Sequence, residues 1–302
     1  MEASLLTQIV LPLSLFIIML GMGLSLTSTD FRNIPKTPKP LFIGLFGQFM
    51  ILPILAFLVA IGMRLEPKLA MGLMILSFCP GGVTSNMYSH LSRANVALSI
   101  SLTTIVSLIT PITIPLLIAW QSENFFGLAT SVELPIAKTI LTLLVITIIP
   151  VIIGMTINKK RPQIAQRFDK PVKILSMVLL FIITFGICLE NWDNLPRLFA
   201  TAGPACLLLN IIAMTVSFYG ARAFKLGRKE GKTICLEVGL QNGTTALFIT
   251  STILEDPVLS IPAATYSLIM FATGAVAAYV FSKSDEKTDL EPTVSASMDQ
   301  VS

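Results

Sequence analysis

Nearly the whole chain consists of apolar runs about twenty residues long, joined by short polar connections. A run of that length crosses the roughly 30 Å hydrocarbon core of a bilayer as a single helix. Nine such segments can be read, at about 5–27, 40–62, 68–91, 95–120, 133–157, 171–190, 199–221, 231–253 and 258–282. The 302 residues are 54% hydrophobic and only 13% charged, with a mean hydropathy of +0.81. A soluble domain carries roughly 25% charged residues. The fold class is therefore an all-α integral membrane protein, with membrane lipid as its surroundings. The first run has no Lys or Arg before it and no small-residue cleavage pattern, so it reads as a retained helix and not a signal peptide. Residues 283–302 are polar and aperiodic and read as a disordered tail beyond a transmembrane domain of residues 1–282.

Charge gives the orientation. Of the 21 Lys and Arg residues, all but Arg64, Lys68, Lys138 and Arg197 fall in the tail or in the connections after segments 1, 3, 5 and 7. Positive charge in short loops favours the cytoplasm, so the N-terminus is expected outside and the C-terminus inside. The net charge of +4 is spread over these loops and forms no single basic face, which excludes nucleic acid as a partner. The four cysteines lie in or beside apolar runs without metal or redox spacing and read as small buried hydrophobes.

Two segments contradict their own surroundings. Segment 3 carries Pro80-Gly81-Gly82 at its centre, followed by Thr84, Ser85 and Asn86. Proline removes a backbone donor and crowds the preceding turn, so a continuous helix through this point is not expected. Segment 8 carries LEVGLQNG, residues 236–243, with Gly239 and Gly243 around Gln241-Asn242 but no proline. The segments occupy matching places in two four-helix units, 1–4 and 6–9, which run in opposite senses across the membrane with segment 5 as connector. Interrupted, polar-centred segments at corresponding positions of an inverted repeat mark a transporter's midplane binding site. Freed backbone groups at that depth are tolerated only where they line a protein-buried or watery cavity.

Glu237 is the one acidic residue placed deep in a span, and a carboxylate there costs roughly 2.5–3.5 kcal/mol on insertion scales. It must be protonated, paired with a base or paired with a bound cation. No Lys or Arg is read deep in any span, which disfavours an internal ion pair. Oxygen ligands suited to a hard cation are plentiful in Glu237, Gln241, Asn86, Ser85 and the freed carbonyls. Ser99 and Thr103 lie four apart on one helix face, and Gln48 is an isolated amide in an apolar run. Ser99, Thr103 and Gln48 each also have an ordinary structural reading, as self-bonded hydroxyls or helix–helix glue. His90 reads as interfacial, and the many Met and Phe residues as packing, with no cofactor implied.

The set CPGG-x-x-SN (79–86), N-V-A-L-S-x-x-x-T (95–103) and EVG-x-QN (237–242), in this order across nearly the whole chain, resembles the bile acid:sodium symporter family and its bacterial members. The resemblance implies a core domain of segments 2, 3, 4, 7, 8 and 9 against a panel of segments 1, 5 and 6, with the two broken helices crossing. It implies two sodium sites. The first would use Ser85, Asn86, Ser99, Thr103 and Glu237, and the second Gln48, Glu237, Gln241 and carbonyls near Val238 and Leu240. An organic anion would lie beside the crossing near Val83, Thr84, Asn242, Gly243, Thr244 and Met270. Two positions depart from the usual bacterial pattern. Met270-Phe271 stands where a His-Asn pair is common, and Val83 where threonine is, which suggests a less hydroxylated or more apolar anion.

The implied function is sodium-coupled import of an organic anion, bile acid-like or a small carboxylate, across a bacterial inner membrane, with no enzyme activity. No GxxxxGK[ST] motif points to ATP. A proton-coupled transporter or exporter on the same fold stays open as an alternative. A channel or sensor fits less well, because the polar groups cluster at one depth and do not line a continuous pore.

Overall fold

The computed structural model describes residues 6–27, 38–124, 135–190 and 195–298. Among the described residues the fold is helical, and its one β-type pairing is an isolated bridge. The helices are α1 (Leu11–Ser25, entered through a π turn, Leu6–Val10), α2 (Pro38–Gly62), α3 (Pro67–Phe78), α4 (Val83–Leu91), α5 (Val96–Asn124) and α6 (Ile136–Lys160). They continue as α7 (Pro162–Glu190), α8 (Leu195–Ala223), α9 (Arg228–Gly239), α10 (Gly243–Ile253) and α11 (Pro257–Met298). Six helical stretches among the described residues are long and apolar enough to cross a membrane by themselves: Gln8–Ser25, Pro38–Gly62, Val96–Ser122, Ile136–Lys160, Pro196–Ala223 and Pro257–Ser284. Large apolar side chains such as Phe42, Leu141, Phe185 and Val276 are exposed, as suits helices solvated by acyl chains.

Segments 3 and 8 of the sequence are both broken, into α3 and α4 and into α9 and α10. The second break needs no proline. Leu240 leaves the helix in an extended conformation, and the Asn242 side chain then accepts from Thr245 N–H at 3.1 Å and caps the start of α10. The remaining helices form two groups by contact: α1, α6 and α7 pack on one another, while α8 packs on α9 and α11, and α3 on α2 and α11. Where α1 crosses α6 the backbones nearly touch, because a Cβ on Gly23 would stand 2.3 Å from Val151 O and one on Gly154 2.5 Å from Leu20 O. Small residues at such crossings let membrane helices gain van der Waals contact, since lipid supplies no hydrophobic drive between them.

Two expectations change. The last helix runs on to Met298, through Pro292, so residues 283–298 are helical where an unstructured tail is expected. Lys232, assigned to a connection by its charge, is a fully buried residue of α9, with Nζ 3.0 Å from Phe281 O and 3.3 Å from Ser92 O and 5.6 Å from the Phe281 ring centroid. Its ammonium is satisfied by carbonyls and a ring face and not by solvent. Arg32 and Lys36, used in the charge argument, lie outside the described residues, as do the side chains of Lys170, Lys173, Lys287 and Cys188. Cys79, Cys206 and Cys235 are buried free thiols, and His90 is exposed at the end of α4.

Candidate cation and anion sites at the helix crossing

The links between the half-helices meet and pair. Gly81 and Gln241 form an antiparallel bridge, and Asn242 N–H donates to Pro80 O at 2.8 Å. The C-terminal ends of α3 and α9 and the N-terminal ends of α4 and α10 therefore converge on one point. The carbonyls and N–H groups that helix breaks leave over are concentrated there.

Glu237, in the last turn of α9, sends its carboxylate under this crossing and is 1% exposed. Thr103 donates to Oε1 at 2.5 Å, and Ser85 and Ser99 donate to Oε2 at 2.7 and 2.9 Å. Three elements thus converge on one carboxylate: α4 supplies Ser85, α5 supplies Ser99 and Thr103, and α9 the acid. Helix α5 starts where it must for this, because Asn95 Oδ1 accepts from Leu98 N–H at 3.1 Å and caps it, while Asn95 N–H bonds Thr233 Oγ1 of α9 at 2.9 Å. Asn86 Oδ1, one residue beyond Ser85, is buried and has no hydrogen-bond partner. Three hydroxyls, a carboxylate and an unsatisfied amide oxygen are the donor set a hard monovalent cation prefers. Gly81 leaves the room: a Cβ there would stand 2.2 Å from Glu237 Oε1.

The second predicted group also assembles. Gln48 Nε2 donates to Gln241 Oε1 and to Cys79 O, each at 2.8 Å. Gln241 Nε2 returns the bond to Gln48 Oε1 at 3.3 Å and reaches Val238 O at 2.7 Å and Glu237 O at 3.4 Å. Glu237 enters this group through its backbone carbonyl, since its carboxylate is bonded to the three hydroxyls. Leu240, the other expected carbonyl, is not joined to this group by a hydrogen bond; its N–H closes the end of α9 on Leu236 O. Gln48 reaches the crossing from a π turn, Gly47–Ile51, in which Leu52 N–H bonds Gly47 O five residues back, just ahead of Pro53. One-turn π insertions of this kind recur at functional sites because they re-aim a side chain.

Val83, Thr84, Asn242, Gly243, Thr244 and Met270 line one cavity beside the crossing, together with Ile18 of α1 and Leu180 of α7. Its volume is about 50 Å³, room for a few water molecules and not for an organic anion. Phe271 also lines it, and its ring stacks on Phe181 with centroids 5.6 Å apart.

Two residues that sequence reasoning missed hold the end of α9. Asn210 Nδ2 and Tyr266 OH both donate to Gly239 O, at 2.8 and 2.9 Å, and Asn210 Nδ2 also reaches Tyr266 OH at 3.1 Å. Both side chains are fully buried. The one signal in the sequence was Asn210 itself, a lone amide in the apolar run LLLNII.

The sequence profile of the Sodium Bile acid symporter family matches residues 12–197. The chain belongs to that family. It is 30% identical over 273 residues to an uncharacterized sodium-dependent transporter, YocS, of Bacillus subtilis, covering 90% of this chain and 82% of that one. It is 26% identical over 268 residues to a probable chloroplastic sodium/metabolite cotransporter of Oryza sativa, covering 87% of this chain but 61% of the relative. It is 29% identical over 242 residues to the ileal sodium/bile acid cotransporter of Oryctolagus cuniculus, covering 79% and 68%. These relatives bear the names of transporters and not of enzymes.

Proposed function

We propose that the chain couples inward sodium movement to import of an organic anion by alternating access. The observation that carries this reading is the Glu237 carboxylate, buried at the crossing of two broken helices and bonded there by the neutral hydroxyls of Ser85, Ser99 and Thr103. A carboxylate in that position needs a counter-charge, and a sodium ion among these oxygens supplies it.

In this reading nine spans form two inverted four-helix units, with the N-terminus outside and the C-terminus in the cytoplasm of a bacterial inner membrane. The group α1, α6 and α7 acts as the panel and the rest as the core. The first sodium site is Ser85, Asn86, Ser99, Thr103 and Glu237. The second is Gln48, Gln241 and the carbonyls of Glu237, Val238 and Leu240. The ions bridge α4, α5 and α9 in one case and α2 and α9 in the other, so their binding stiffens the crossing. That crossing forms one wall of the cavity of Val83, Thr84, Asn242, Gly243, Thr244 and Met270, where the free N–H groups at the start of α4 suit a carboxylate. Sodium and anion are then linked, each raising the other's affinity by the same factor. The small cavity also fits the reading, because admitting an anion requires α1 and α7 to move away from α4 and α11.

The test is thermal stability of the purified protein in sodium against potassium at equal ionic strength, for the wild type and Glu237→Ala. A ligand that binds only the folded state raises stability by about 2.7 kcal/mol at one hundred times its dissociation constant. A sodium-specific rise that disappears in Glu237→Ala supports the reading. Equal stability in both salts, with uptake that follows a pH gradient, would favour proton coupling through Glu237.

A further inference from the structure

The crossing has a second flank. Opposite the anion cavity lies a void of about 10 Å³ bounded by Pro80, Ser107, Thr110, Thr147, Thr245 and Met19, among others. That volume holds about one water molecule. Four hydroxyl-bearing residues line it from three elements: α5 gives Thr110 and Ser107, whose hydroxyl donates to Met22 Sδ at 3.9 Å, α6 gives Thr147 and α10 gives Thr245, all buried.

A Ser or Thr in a membrane helix ordinarily satisfies itself on the carbonyl one turn back. Thr147 does so, donating to Leu143 O at 2.5 Å. Thr245 does not: its hydroxyl oxygen is buried without a hydrogen-bond partner, and the side chain is 3% exposed. Pro111, inside α5, has no N–H to give to the carbonyl of Ser107 one turn back, so the same wall carries a surplus acceptor. A buried polar group that the chain leaves unpaired is costly, and Thr245 Oγ1 is such a group on the lining of this void.

The void also lies between the two helix groups that flank the anion cavity. Met19 and Thr147 belong to α1 and α6, whereas Pro80, Ser107, Thr110 and Thr245 belong to the opposing group. Ile18 lines the anion cavity and its neighbour Met19 lines this one. We propose that the hydroxyl cavity is a second subsite on the translocation path, on the opposite face of the crossing, for a neutral hydrogen-bonding group. It takes water while the helix groups are closed around it, and the hydroxyl or keto oxygen of the anion when α1 and α6 stand away from α5 and α10. Its lining contains no charged side chain, so the carboxylate belongs to the other cavity. The proposal rests on the transporter reading above.

Thr147→Cys and Thr110→Cys, each in the otherwise unchanged chain, test it in intact cells with a membrane-impermeant trimethylammonium thiosulfonate. The wild type, with Cys79, Cys206 and Cys235 buried, sets the background. External labelling above that background, at a rate that changes at least threefold when sodium replaces potassium, is the expected result. No external labelling of either variant in both buffers overturns the subsite and leaves a sealed structural void. Thr245→Val provides a second readout that needs no transport. Because the Thr245 hydroxyl bonds only the cavity's water in the closed state, its removal leaves the melting temperature within about 2 °C of wild type, whereas a larger fall would assign Thr245 a structural hydrogen bond within the protein and overturn the proposal. Sodium-specific stabilisation persists in all three variants; its absence from the wild type would count against the transporter reading and not against the subsite.

Discussion

Gly81→Ala perturbs the cation site without touching any residue that ligates. Its backbone lies outside the left-handed region, so alanine is conformationally tolerated there, but the new Cβ would stand 2.2 Å from Glu237 Oε1 and 2.8 Å from Cδ. Relief requires the carboxylate to retreat by about 1 Å, which stretches hydrogen bonds now at 2.5, 2.7 and 2.9 Å beyond useful length. Each hydrogen bond to a charged group contributes about 1.5–3 kcal/mol. Losing the equivalent of one or two of them, about 3 kcal/mol, lowers sodium affinity on the order of one hundredfold. The assay is a sodium titration of the melting temperature, with potassium holding ionic strength constant. Gly82→Ala is the control, since its Cβ meets Thr84 Oγ1 at 3.1 Å and nothing closer. The expected result is a midpoint about one hundredfold higher for Gly81→Ala and within about threefold of wild type for Gly82→Ala. A folded Gly81→Ala protein with an unshifted midpoint would refute the placement of the carboxylate and the sodium site built on it.

Thr103→Val removes one of the three hydroxyls on Glu237, and its sodium midpoint should rise about tenfold, with Thr103→Ser restoring most of it. Tyr266→Phe deletes one of two donors to Gly239 O and should lower stability by about 1 kcal/mol in thermal unfolding, because Asn210 still bonds the carbonyl. Gly154→Val forces α6 off α1 at a contact that leaves no space for a side chain, and should lower both the melting temperature and the yield of folded protein in detergent. In competition uptake assays, Met270→His with Phe271→Asn should shift preference toward more hydroxylated anions; an unchanged ranking would remove Met270 as a determinant of selectivity.

The residue types at the crossing are largely legible in the sequence, but their wiring is not. Proline and paired glycines inside an apolar run announce a break wherever they occur, so the α3–α4 interruption follows from Pro80-Gly81-Gly82 alone. The α9–α10 interruption does not, since glycines without proline permit a break without requiring one, and the pairing of Gly81 with Gln241 is what holds the strand open. Lys232 is misjudged for a similar reason: its charge suggests a loop, whereas tertiary contacts, among them the carbonyls of Ser92 and Phe281 and the ring beside them, make its burial tolerable.

Hydrophobicity is local and accumulates along the chain. The sequence by itself therefore determined a helical membrane protein, the positions of its apolar runs and the presence of a buried acid that must be neutralised. Which oxygens meet that acid depends on packing between distant segments, and helices apolar on every side carry little periodic signal to reveal it. Ser85, Ser99 and Thr103 lie 134 to 152 residues from Glu237 in the chain and converge on it only because α4, α5 and α9 pack together. The same holds for Gln48, turned inward by a π turn, for Asn210 and Tyr266 on Gly239, and for the hydroxyls gathered on the far flank. Tertiary structure decided these, because a buried polar group has a low-energy position only where the fold brings it a partner.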